Sequence, residues 1–315
     1  MRKNQCRIPR ALLISMASAG VLLAGCGSGT AVTPAAPGTR ATFAANPRLQ
    51  ATGLPQPVPG GAPAVARALA ARWAAAPWRA PRADAAIVFR VIDYDATVFS
   101  PRTPGGFTAF ITTRRTVVVS AASAAVVTAS NAASPRFATP GDRELWEEAG
   151  RPSLGQVPAA GQRLAIPAGD YTFLPQGRTL TYRQAAGLPG APSGLAAVIL
   201  AHLRAYAGRH PPASLTLRQL AYLIAMAPLT KAARSAAWQV VGSLPGLRIC
   251  QAWPGPLQPR TVELCLASAD HETLVSIDLG TASILSISDR LLRPSPMYPH
   301  VAAGTIAGSA TFVTS

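Results

Sequence analysis

An α+β fold, with an antiparallel, curved β-meander and a central group of about three helices, is what this 315-residue sequence predicts. Three observations carry the prediction. β-Branched runs broken by turn residues fill Ala86 to Phe137. Three segments with apolar residues at helical spacing follow between Ser193 and Leu244, and β-branched runs return after Gly246. Connections in that last region are short or turn-rich, which favours antiparallel pairing.

Along the chain, Pro63 to Ala76 carries Val65, Leu69 and Trp73 at a spacing of four, which predicts an amphipathic helix with Pro63 in its first turn. Ile87–Ile92, Phe107–Thr112, Thr116–Val119 and Ala125–Ala129 read as strands, with a loop over Pro101–Gly106. Asp142 to Ala149 predicts a helical turn, and Tyr171–Leu174 and Arg178–Tyr182 predict extended segments. Ser193 is placed to cap a helix with Leu195, Val198, Ile199, His202, Leu203 and Tyr206 on one face, ending at Gly208. Leu217 to Ala227 forms a second amphipathic stretch before Pro228, and Thr230 is placed to cap a third ending at Pro245-Gly246. The closing strands are expected at Leu247–Trp253, Thr261–Ala267, Thr273–Leu279, Ser283–Ile287 and Thr305–Thr314. One α+β domain over 62–315 is thus expected, divided into a β-meander at 86–182, a helical section at 193–245 and antiparallel strands at 247–315.

The N-terminus predicts an address. Arg2, Lys3, Arg7 and Arg10 precede the apolar run Ala11–Leu23, which is too short to span a bilayer, and Leu22-Leu23-Ala24-Gly25-Cys26 closes it. This is the pattern of a bacterial lipoprotein signal: small residues open the backbone to the peptidase, and the Cys26 thiol carries the lipid. Residues 1–25 are then a signal peptide and 26–61, rich in Ala, Thr, Pro and Gly without apolar periodicity, a disordered tether. The expected location is extracytoplasmic, lipid-anchored to the outer face of the cytoplasmic membrane.

Without the signal, 25 basic residues stand against 13 acids, a formal charge of +12. Of the 29 basic residues in the whole chain 27 are arginine, scattered without a long run, so anionic lipid head groups suit them better as a counter-surface than nucleic acid. With Cys6 in the signal and Cys26 acylated, Cys250 and Cys265 remain as a pair. A hairpin centred on Leu257 and Gln258 sets them directly opposite each other, and an oxidising compartment favours their disulfide. A redox or metal role lacks the C-x-x-C spacing and a nearby histidine cluster.

Asp93-Tyr94-Asp95-Ala96-Thr97, after the apolar run Ile87–Ile92, resembles the D-x-D-x-T motif of haloacid-dehalogenase-type phosphatases. That resemblance implies Asp93 as nucleophile, Asp95 as acid/base and magnesium bridging carboxylate and phosphate. The family also needs a lysine and a late acidic pair. Lys231, at an expected helix cap, is the sole lysine after the signal, and Asp270, Asp278 and Asp289 form no acidic cluster in sequence. A strand end and turn with two exposed acids is the structural alternative. Ser193 lacks the nucleophile-elbow spacing, and His202, His210, His271 and His300 are isolated from one another. No catalytic residue, metal or cofactor is assigned.

Leu188-Pro189, Leu244-Pro245-Gly246-Leu247, Ile277-Asp278-Leu279-Gly280-Thr281 with Leu285, Ala303-Gly304-Thr305, and Asp142-Arg143-Glu144-Leu145-Trp146 with Ala149-Gly150 together resemble a family of high-GC, actinobacterial-type, membrane-tethered envelope proteins. Where that family usually shows Thr-Gly, this chain has Thr281-Ala282. The family has no established catalytic residue to transfer. Its fold is broadly similar to lipoprotein carriers and periplasmic anti-sigma regulators, in which a curved sheet covers helices and leaves an apolar groove. Scarce carboxylates, scattered histidines and absent metal-ligand spacing favour a non-enzymatic module, whose curved sheet would bind a lipid-like ligand or an envelope protein partner in sensing. The alternatives are the phosphatase and a structural envelope protein without a ligand.

Overall fold

The computed structural model describes residues 43–44, 61–77, 86–99, 106–120, 125–131, 134–154, 163–166, 173, 180–252, 261–298 and 300–313. The signal segment, Cys26 and the turn at Leu257-Gln258 lie outside the described residues, as do most of the tether, of the Pro101–Gly106 loop and of the extended segments expected around Tyr171 and Arg178. In chain order the elements are β1 (Phe43–Ala44), α1 (Gly61–Ala75), β2 (Ala86–Phe99), β3 (Phe107–Val119), β4 (Ala125–Asn131), β5 (Arg136–Phe137), α2 (Pro140–Glu148) and β6 (Arg163–Ile166). They continue with α3 (Tyr182–Ala186), α4 (Pro192–Ala207), α5 (Ala213–Met226), α6 (Lys231–Gly242), β7 (Arg248–Ala252), β8 (Thr261–Ala267), β9 (His271–Asp278), β10 (Ser283–Leu291) and β11 (Ile306–Val313). The α+β class holds.

One sheet contains both β regions. Its order is β6-β4-β3-β2-β11-β10-β9-β8-β7, antiparallel throughout, with β1 parallel against β2 and β5 against β3. The first meander runs outward from β2 to the edge strand β6. The helices carry the chain to the other edge at β7, and the second meander returns inward until β11 closes on β2, Phe312 opposite Val91 and Ala310 opposite Asp93. Each meander thereby covers the other's inner edge, which would otherwise present unpaired backbone groups.

Apolar residues at alternate positions build the face under the helices: Ile87, Phe89 and Val91 of β2, Val117 and Val119 of β3, Val262, Leu264 and Leu266 of β8, and Ala310 and Phe312 of β11. Helix α5 crosses β8, β9 and β10, its Tyr222 ring edge-on to Phe312. Helices α1 and α6 pack closely through small residues, the Ser235 hydroxyl donating to the Ala70 carbonyl at 2.9 Å. Between them Arg234 is fully buried over the Trp73 ring, 4.8 Å from its centroid. It donates to the carbonyls of Ile224 and Ala227 at the C-terminal end of α5, where a cation complements the helix dipole. Burial pulls its pKa down to about 9, so it stays charged at neutral pH.

Several boundaries differ from expectation for physical reasons. β2 does not end at Ile92 but runs to Phe99, because Asp93 is neutralised from the neighbouring strand by Arg115. For the same reason the two strands expected at Phe107–Thr112 and Thr116–Val119 are one. Tyr182 begins a helix, because Thr181 and Gln184 complete a capping box. Ser193 lies inside α4, whose N-cap is Ala191, with Pro192 in the first turn. Tyr206, expected on the apolar face of α4, is exposed.

Candidate functional site

Among the described residues, a cleft with oriented polar groups lies at one end of the sheet, where α2 and the segment carrying His300 and Val301 pack beside β3. A satellite core of Phe110, Leu291, Val301 and Ala307, with Tyr94 stacked on Phe110 at 5.3 Å, supports this end. Tyr94 and Phe110 use positions of β2 and β3 that alternate with the helix-covered ones.

Local chemistry makes α2. Thr139 is its N-cap and Pro140 follows; the Thr139 hydroxyl accepts from Asp142 N–H at 3.1 Å while Asp142 Oδ2 accepts from Thr139 N–H at 2.9 Å. Asp142 is also tied to the sheet, its Oδ1 accepting from Thr108 N–H at 3.0 Å. Across the cleft, Val301 in the satellite core anchors the segment that carries His300. His300 takes φ 66°, in the left-handed region, and its Nδ1 lies 2.9 Å from Asp142 Oδ1. Asp142 is wholly buried, whereas the His300 side chain is 51 % exposed. Burial alone would raise the Asp142 carboxyl, but hydrogen bonds from Thr139, His300 and the Thr108 backbone hold it below the usual carboxylate range. It is therefore ionised at neutral pH and accepts only, so the proton on that contact belongs to His300 Nδ1. The cleft, about 410 Å³, is lined by Thr139, Gly141, Glu144, Leu145, Glu148 and His300.

Asp93, the first acid of the phosphatase-like string, is 3 % exposed and its Oδ2 lies 2.5 Å from Arg115 Nε. The exposed turn expected for it is thus corrected to a buried position inside β2; Asp95 is in the same strand, opposite Ile111 and Gly308. Lys231 Nζ donates to the Ala76 carbonyl at 3.3 Å. Asp270 pairs with Arg293. Asp278 accepts from Gly280 N–H and the Thr281 hydroxyl within its own turn. Asp289 receives Arg218 at 2.7 Å and the Thr273 hydroxyl at 2.9 Å.

Cys250 and Cys265 are joined, with Cα atoms 5.8 Å apart. The register differs from the one expected: Cys265 lies opposite Arg248, and Cys250 sits where the ladder shifts between Ile249 and Gln251. A bulge, not a directly opposed pair, brings the sulfurs together. Beside them the buried Glu272 is held between Arg248 and Arg290. Burial would raise its carboxyl, and the hydrogen bonds and charges of the two arginines lower it below the usual range.

The fold thus leaves the phosphatase-like acid paired and draws together two residues, Asp142 and His300, that are far apart in sequence. Thr139-x-x-Asp142 is legible as a capping pattern, but nothing local marks His300, which is 158 residues from its partner. No protein-family model, curated protein or solved structure matches the chain.

Proposed function

We propose that the chain is a lipoprotein anchored through Cys26 to the outer face of the cytoplasmic membrane, and that its α+β domain is a non-catalytic binding module at the envelope. The run Leu22-Leu23-Ala24-Gly25-Cys26 supports the attachment. The Asp93–Arg115 ion pair carries the non-catalytic half, because the carboxylate that phosphatase chemistry would use as nucleophile is buried and charge-paired. The chemistry of the His300 cleft points the same way. Its imidazole is oriented by Asp142 as in a nucleophile-activating set, but the hydroxyl lining the cleft, Thr139 Oγ1, donates to Asp142 Oδ2 at 2.6 Å instead of to the imidazole. The cleft is then a place to hold a ligand, which in this reading reaches it from the envelope side of the membrane.

Two measurements on the full chain test the proposal. A labelled fatty acid supplied to a bacterial host should be incorporated into the protein and lost in Cys26→Ala. Protein purified in detergent should show no magnesium-dependent hydrolysis of a generic phosphate ester; turnover abolished by Asp93→Asn would replace the binding reading with the enzymatic one.

A further inference from the structure

We infer that helix α4 is the surface by which the domain rests on an anionic lipid bilayer, its outward side at the head-group level and its basic C-terminal end on the lipid phosphates. The inference rests on the anchoring reading and names the side of the domain turned to the membrane.

α4 is apolar on both sides. Its inner side buries Leu195, Ile199 and Leu203 in the core. A surface helix ordinarily turns charged and polar residues to water. Here Val198 and Leu200 are half-buried, Ala197, Ala201 and Ala205 are exposed, and the Tyr206 ring is 49 % exposed. Arg204 is the one Arg, Lys, Asp or Glu in the helix.

Charge selects the occupant. Arg204 and, just past Gly208, Arg209 are exposed beside Tyr206, and among the described residues no acid pairs with either. No Asp or Glu occurs between Asp170 and Glu263, so a second copy packed α4 to α4 would bring these arginines no counter-charge. A phospholipid surface supplies phosphates for the guanidiniums, an interface for the tyrosine and an apolar boundary for the aliphatic side chains. Among the described residues, Leu292 and Met297 are the other exposed large apolar side chains. Their segment leads to His300, which lies against the acidic helix α2, so anionic lipid would be repelled there.

The length fits a helix lying along the surface. Its 16 residues extend about 24 Å, short of the roughly 30 Å of a hydrocarbon core, and no described helix is long and apolar enough to cross a membrane. The chain from Cys26 to Phe43, which pairs with Ala86 in the sheet, reaches at most about 60 Å when fully extended. An anchored domain therefore stays within reach of the bilayer.

The test is an arginine footprint of the full acylated chain. The protein is reconstituted into vesicles of phosphatidylcholine, with or without phosphatidylglycerol at about one part in three, treated with phenylglyoxal and digested for mass spectrometry. Arg204 and Arg209 should react about fivefold more slowly in the anionic vesicles than in the neutral ones, and salt at about 1 M should remove the difference. Arg90 and Arg114, exposed at strand positions that alternate with the helix-covered ones, should react within about twofold in both. Ala201→Glu, an exposed change to a good helix former, should abolish the protection while circular dichroism stays unchanged, and the uncharged Ala201→Gln should keep it. The inference is overturned by equal reaction in the two kinds of vesicle, by protection of Arg90 and Arg114 instead, or by protection that survives Ala201→Glu. Protection in detergent that rises with protein concentration would mark a second copy on α4 and overturn it too. A digest without the acylated Cys26 peptide removes the anchoring reading and this inference together; an acylated chain with α4 unprotected removes this inference alone.

Discussion

Opening the Cys250–Cys265 bridge would show how the C-terminal edge of the sheet is held. The bridge joins residues 15 apart, and the chain-entropy account of such a loop gives about 3 kcal/mol of stability lost on opening. Cys250→Ala is the cleaner perturbation. Cys250 is exposed at the ladder shift, so truncating it removes little packing, whereas Cys265 is fully buried and its truncation would add a cavity. In a domain of this size about 3 kcal/mol corresponds to a fall in Tm of roughly 6–12 °C. Thermal unfolding of the full chain, followed by circular dichroism with and without reductant, reads the effect. Reductant should bring the wild-type chain down to the variant and leave the variant where it is. The loss should be local first: β7 is an edge strand supported by β8 and α1, so amide exchange should quicken in Arg248–Ala252 before the sheet interior. Equal Tm values for wild type and variant, or a further drop of the variant in reductant, would refute the reasoning.

Arg234→Ala should destabilise the fold by about 3 kcal/mol, because it leaves a void beside Trp73, orphans the carbonyl of Ile224 and takes one of two donors from that of Ala227, which keeps the Leu229 N–H; Arg234→Met, which fills the void, should cost less in urea denaturation. Gly190→Val tests the approach of the segment before α4 to α6: a Cβ there would stand 2.8 Å from Ala232 Cβ, so the two backbones must part at a cost of about 1–3 kcal/mol, read as a lower Tm. Asp142 and Glu272 both have carboxyls lowered in the folded state, so the stability they contribute is present above the unfolded carboxylate range, near pH 4, and is lost as pH falls through their folded values. Unfolding midpoints measured from pH 6 downward should fall in that window, and the fall should be shallower in Glu272→Gln; a flat profile would count against both the hydrogen-bonded Asp142 and the arginine-paired Glu272.

Features whose cause is local are legible in the chain itself. β8 spans Thr261–Ala267 as its apolar alternation predicts, and α6 begins after Thr230, whose hydroxyl accepts from Ala233 N–H at 3.1 Å. The buried stripe of Val65, Leu69 and Trp73 on α1 follows from spacing alone. Local pattern misleads where a distant group changes the meaning of a residue. Asp93 and Asp95 look like turn chemistry until Arg115 on the next strand neutralises Asp93, and the cysteine register is off by a residue or two because a bulge has no composition of its own.

The sequence by itself determined the α+β class, most helix limits, the pairing partner of Cys250, and the lipoprotein pattern at Cys26 on which the proposed attachment rests. Only the tertiary structure decided that β11 joins β2 and makes one sheet of two meanders, and that His300 meets Asp142 beside Glu144 and Glu148. The reason is physical: periodicity, caps and turn residues act over a few positions and leave a local pattern. Strand closure and the cleft are instead hydrogen bonds and ion contacts between residues well over a hundred positions apart, whose partners are selected by packing and leave no mark in the neighbouring sequence.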